Sequence, residues 1–190
     1  STVASVQEQL DAIRSTSGAR RTVGLDNTTV CQFVTNDPTL ADAVNAATEE
    51  FEALNQEFPE LMALGEVEQV AAIEKHLVNF YADDTVNPYV SMAARGPWIV
   101  TTKGAVLHDN GGYGMLGFGQ GPTAVIEAMA RPWVMANVMT PSFSHKRFTD
   151  SLKREIGHTR GSCPFSHFLC MNSGSEAVTV AARFSDVNAH

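Results

Sequence analysis

One stretch near the C-terminal end constrains this chain most. Phe168 to Met171 is an apolar run, broken at Asn172-Ser173-Gly174-Ser175 and followed from Glu176 by a helical pattern through Ala177, Val178, Val180, Ala181 and Ala182. The pattern predicts strand, tight turn, helix. Such a turn leaves backbone N–H groups free at a helix N-terminus, where the helix dipole also favours an anion. Gly174 can take positive φ and lets a ligand approach the backbone. Two readings are open on local chemistry. Ser173 caps the helix with Glu176 completing a capping box, or the turn holds a phosphate.

At 190 residues and 44% apolar, the chain is long enough for one ordinary domain with a real core. The net charge of −8 argues against a general nucleic-acid binder. Residues 1–95 carry five basic and fifteen acidic side chains, and residues 96–190 carry eight and six. A slightly basic second half suits a small anionic ligand. Cys31, Cys163 and Cys170 show no C-x-x-C spacing, Cys170 is expected in the core, and a reducing cytoplasmic compartment is expected. No apolar run reaches about 18 residues, and no signal peptide or transmembrane span is expected.

Val6, Leu10 and Ile13 form one face of a short helix, and Ser15 to Arg21 reads as a loop. Thr28 to Val34 is β-prone and is expected as a strand. Asp37-Pro38 starts a helix whose apolar stripe runs Leu40, Val44, Ala47, Phe51, Leu54 and Phe58. A second helix is expected from Glu66 to Tyr81, with Val70, Ile73, Leu77 and Phe80 inward and the two helices paired. The acidic residues around them read as solvated faces. Asn87 to Gly96 is expected as a loop. Trp98–Thr102 and Ala105–His108, joined at Lys103-Gly104, predict a β-hairpin. Pro122 opens a helix through Val125, Ile126 and Met129. A further helix over Ser144–Ile156 places Phe148, Leu152 and Ile156 on one face.

Gly112-Tyr-Gly-Met-Leu-Gly117 matches G-x-G-x-x-G. No acidic residue lies about twenty positions on, and the helix starts only after Pro122, so a segment lining a pocket fits better than a dinucleotide site. The histidines have no metal-ligand spacing.

The order of a hairpin ending at Asp109, Gly111-Gly-Tyr-Gly114, Leu116-Gly117, Gly121-Pro-Thr-Ala-Val-Ile-Glu-Ala-Met129 and then Asn172-Ser-Gly-Ser-Glu-Ala177 resembles the N-terminal half of class III aminotransferases. These are fold-type I pyridoxal-phosphate enzymes, and the resemblance covers Trp98 to Arg183. It implies an α/β fold, with a helical extension (1–95), a small-domain segment (96–122) and the start of a large parallel-sheet domain (123–190). It implies pyridoxal 5'-phosphate held by Ser173, Gly174 and Ser175, and Tyr113 beside the substrate. It further implies amine or amino-acid and keto-acid substrates, a homodimeric parent enzyme, and neither nucleic-acid nor membrane partners. The family's Gly-His-x-His-Pro is replaced by Gly117-Phe-Gly-Gln-Gly-Pro122. The family's catalytic lysine follows the phosphate turn, whereas Lys75, Lys103, Lys146 and Lys153 precede it. No catalytic residue is therefore assigned in this chain, which is expected to be an inactive portion of a longer enzyme. The other expectation from the same residues is a non-catalytic binding protein that presents its acidic helices to a partner.

Overall fold

A computed structural model describes residues 2–79, 82–110, 117–133 and 139–189. The elements in order are α1 (Thr2–Arg14), α2 (Asn27–Asn36), α3 (Pro38–Glu57), α4 (Pro59–Met62), α5 (Glu66–Glu74) and a 3-10 turn at Asp83–Thr85. Next come β1 (Ser91–Arg95), β2 (Trp98–Thr101), β3 (Val106–His108), α6 (Thr123–Met129), α7 (Phe143–Gly157) and α8 (Gly174–Asn188). The protein is mixed α/β, and the sheet found among the described residues is three-stranded and antiparallel, in the order β1-β2-β3. The chain divides into two compact units, Ser1–Ala130 and Arg131–His190.

The first unit holds the core. Val6, Leu10 and Ile13 recur at helical spacing on α1 and are buried. They meet Val30 and Val34 of α2, Leu40, Val44 and Ala47 of α3, and Trp98, Val100 and Val106 of the hairpin. Burying each large apolar side chain contributes about 1.5–3 kcal/mol, so this cluster is what holds helices and sheet together. Segments 1–95 and 96–122 thus share one core. The hairpin pairs Trp98 with His108 and Val100 with Val106, and Gly104 turns it at φ 73°.

Three expectations fail in this unit. Thr28 to Val34 is helix, not strand. Asp26 caps it, accepting from the Thr29 amide at 2.9 Å, and Val30 and Val34 sit one turn apart on the core face; burial on that face outweighs β-propensity. Residues 87–96 are not all loop, because Ser91–Arg95 pairs with β2. The second long helix stops at Glu74 and buries Glu66 and Gln69, while Ile73 and Leu77 stay 43% and 64% exposed. It also does not pack along α3. Phe80 and Tyr81 lie outside the described residues.

The second unit contains α7 and α8. Ser142 opens α7, its N–H donating to His145 Nδ1 at 3.2 Å. Residues 168–171 form no strand. A strand needs a neighbour for its ladder, and none of the described residues supplies one. Cys170, expected in the core, is exposed. Gly157 is the one buried residue among those described in this unit. Phe148, Val178, Phe184 and Val187 are at least half exposed, which leaves α7 and α8 with uncovered apolar faces.

Candidate functional site

The turn before α8 forms as a cap. Ser173 is the N-cap in extended backbone, and its Oγ accepts from the Glu176 amide at 3.2 Å. The Glu176 carboxylate reaches back to accept from the Asn172 amide at 3.0 Å. This variant of the capping box satisfies one amide that the helix start would leave unpaired, that of Glu176, and the Asn172 amide just outside the helix. Gly174 does not take positive φ. It is the first helical residue. The space beside it is open: a β-carbon added at Gly174 would meet nothing within 4 Å.

The amides of Gly174 and Ser175 precede the first intrahelical bond, from Ala177 N to Ser173 O at 3.1 Å. They therefore face outward without an intrahelical acceptor, at the positive end of a 15-residue helix. One feature opposes an anion here, the negative charge of Glu176 in the same turn. Capping and anion binding use different groups: the cap takes the Ser173 hydroxyl and the Glu176 and Asn172 amides.

Tyr113 and most of the G-x-G-x-x-G segment lie outside the described residues. The described end of the glycine-dense segment does line a groove, of about 670 Å³. Phe118, Gln120 and Gly121 line it together with Asp42, Glu49 and Arg95. Gly96 and Gln120 exchange both backbone hydrogen bonds, at 2.9 and 2.7 Å, which pins the segment to the sheet edge. Gly119 is required there: its β-carbon would lie 2.8 Å from the Gly96 carbonyl.

A buried polar cluster was not legible as such from sequence. Lys103, at the hairpin turn, is 2% exposed and donates to the carbonyls of Ser17 at 2.7 Å and Met62 at 3.0 Å. Glu66 is fully buried and Oε2 accepts from the Arg21 and Thr22 amides at 2.8 and 2.6 Å. Its Oε1 is buried without a hydrogen-bond partner. Thr102 Oγ1 donates to Gln69 Oε1 at 2.6 Å. Burial pushes the Lys103 ammonium below the ordinary lysine value, and the Glu66 charge works against that shift. The cluster ties the 15–22 loop to α5 and the hairpin, so it is structural. The hairpin prediction placed Lys103 at a turn, but a turn lysine normally faces water and gives no sign of burial.

Among the described residues no group of three or more His, Cys, Asp or Glu stands together to hold a metal ion. No described helix is long and apolar enough to cross a membrane. Comparison with protein-family models, curated proteins and solved structures returned no match, so functional inference rests on these residues and their geometry.

Proposed function

We propose that this chain supplies the phosphate-holding part of a fold-type I, class III-like aminotransferase that uses pyridoxal 5'-phosphate. The observation that carries the reading is the open N-terminus of α8, where the Gly174 and Ser175 amides are unused by the helix and the space beside Gly174 is clear. The residues present fit the phosphate end of the cofactor. Gly174 and Ser175 would donate amide N–H groups, with Ser173 fixing the start of the helix by its cap. The chemistry that pyridoxal phosphate supplies when bound is electron withdrawal from the carbon bearing the substrate's amino group.

No lysine here is offered for bonding to the cofactor. Lys103 is buried on two carbonyls and Lys146 is engaged by Asp150 at 2.6 Å. In this reading the lysine, the ring-nitrogen partner and the sheet that covers Phe148, Val178, Phe184 and Val187 belong to the rest of a longer, homodimeric, cytoplasmic enzyme. Substrates are amines or amino acids with keto acids or aldehydes. Residues 1–95 are its helical extension, 96–122 its small-domain segment and 123–190 the start of its cofactor domain, with Tyr113 beside the substrate.

The test is calorimetric titration of the chain with pyridoxal phosphate and with pyridoxal. Two charge-assisted amide bonds give a dissociation constant on the order of 1 mM for the phosphate ester. Equal affinity for the two compounds would sink the proposal.

A second reading, a non-catalytic binding protein, is favoured by one observation. Val70, Ile73, Leu77, Val86 and Val90 line an open, mainly apolar groove of about 1050 Å³ beside α5. Its partner surface would be this groove rather than the acidic face of α3.

A further inference from the structure

Arg131 and Arg147 converge on one exposed indole. The Arg131 guanidinium carbon lies 4.9 Å from the Trp133 ring centroid, and that of Arg147 lies 5.2 Å from the same ring. The two guanidinium carbons are therefore no more than about 10 Å apart, the sum of those distances. Like charges at this range repel, and the indole offsets part of that by cation–π attraction. Among the described residues, neither arginine has an acidic group within ion-pair distance.

Lys146 pairs with Asp150 and Arg154 with Glu155 at 2.9 Å, while among the described residues Lys153, Arg160 and Arg183 have no ion pair either; what sets Arg131 and Arg147 apart is the ring they share. Asp150 stands one turn beyond Arg147 on α7, yet its carboxylate is taken by Lys146. Two guanidiniums are thus gathered on one ring and left unneutralised, on a unit with seven basic and four acidic side chains.

We infer that Arg131, Trp133 and Arg147 form a binding site for a small soluble phosphate dianion. Two guanidiniums match its two charges. Each presents a planar fork of donors that fits phosphate oxygens, and the cation–π contacts hold both groups beside one ring before the anion arrives. The site shares no residue with the turn before α8 and does not depend on the cofactor reading.

The test uses the full chain, isotopically labelled, titrated with inorganic phosphate at constant ionic strength and followed by NMR. Saturable shifts are expected at the Nε–H groups of Arg131 and Arg147 and at the Trp133 Nε1–H. Arg131→Gln and Arg147→Gln should each weaken binding about tenfold. Lys153→Gln, an equal change in net charge on α7, should stay within about twofold, as expected for a screened charge at the surface. All three sites of substitution are exposed, so the variants should fold. Equal weakening by Lys153→Gln would reduce the site to diffuse charge and overturn the inference. So would shifts confined to the Gly174 and Ser175 amides, a result that would favour the cofactor reading alone. Co-sedimentation of the chain with phosphatidic-acid vesicles would overturn the assignment to a soluble phosphate.

Discussion

The indole Nε1–H of Trp98 donates to Asp37 Oδ2 at 2.8 Å, joining the first strand of the hairpin to the start of α3. The other oxygen, Oδ1, accepts from the Thr39 amide at 2.9 Å and from its hydroxyl at 2.6 Å. One carboxylate therefore caps a helix and satisfies a tryptophan that is 1% exposed. Asp37→Asn keeps one acceptor oxygen and turns the other into a donor. Either the indole N–H or the helix start then loses its partner. Equilibrium urea denaturation should register a loss of about 1–3 kcal/mol.

The same carboxyl sets a pH dependence. Partial burial pushes Asp37 up, but hydrogen bonds from Thr39 and Trp98 outweigh it and hold the group below the usual carboxylate range. A carboxyl depressed in the folded state stabilises above its unfolded value, about 3.9, and that contribution is lost as pH falls through the folded value. The gap in stability between the native protein and Asp37→Asn should narrow below about pH 4. A gap that stays constant down to pH 3 would contradict the assignment.

Gly18 and Gly161 both take positive φ, 90° and 77°, but differ in the space around them. A β-carbon at Gly18 would lie 2.2 Å from the Leu64 carbonyl oxygen, whereas one at Gly161 would meet nothing within 4 Å. Gly161→Ala should cost only the left-handed backbone penalty, about 1 kcal/mol. Gly18→Ala must also displace the α4–α5 connection and should cost at least about 2 kcal/mol more, as overpacking against backbone does. Similar melting temperatures for the two variants would show that the 15–22 loop is not held against Leu64.

What was legible follows from which signals are local. Asp37-Pro38 and Lys103-Gly104 marked a helix start and a hairpin turn, because caps and turns are decided by residues next to one another. The Ser173 cap was legible for the same reason. Thr28 to Val34 misled because its residues favour strands, and only the packing of Val30 and Val34 on a distant core selects helix. Phe168 to Met171 misled in the opposite way: its composition suits a strand, but pairing depends on a neighbour that the run itself does not encode. Glu66 and Lys103 look like solvent-facing charges in a list of residues. Their burial depends on the 15–22 loop crossing between α5 and the hairpin, a long-range event with no local signature.

Lys103 and Glu66 should be coupled. Lys103→Met strips donors from the carbonyls of Ser17 and Met62, the latter buried, and removes the positive charge that opposes Glu66, a change expected to cost about 3 kcal/mol. Glu66→Leu strands the Arg21 and Thr22 amides and should cost a similar amount. Each single variant also leaves one charge buried alone, and the double variant leaves neither. The double variant should therefore be more stable than the sum of the singles implies, by about 1 kcal/mol. Strict additivity in the double-mutant cycle would mean that the two charges act independently.

Glu176 tests the proposed phosphate turn directly. Its carboxylate accepts from the Asn172 amide and places a negative charge in the first turn of α8, beside the unused amides of Gly174 and Ser175. A phosphate bound there is repelled by that charge. Glu176→Gln keeps an acceptor oxygen for Asn172, so the turn should hold its shape while the repulsion disappears. Removing one like charge at a range of a few ångströms in water is worth about 1 kcal/mol, a factor of about five in affinity. Pyridoxal phosphate should bind Glu176→Gln about fivefold more tightly than the native chain, with pyridoxal unchanged. Gly174→Pro, which deletes one of the two amide donors at the first helical position, where proline is tolerated, should weaken the phosphate ester by about tenfold. If neither substitution moves the affinity, the anion is held elsewhere and the N-terminus of α8 is a cap alone.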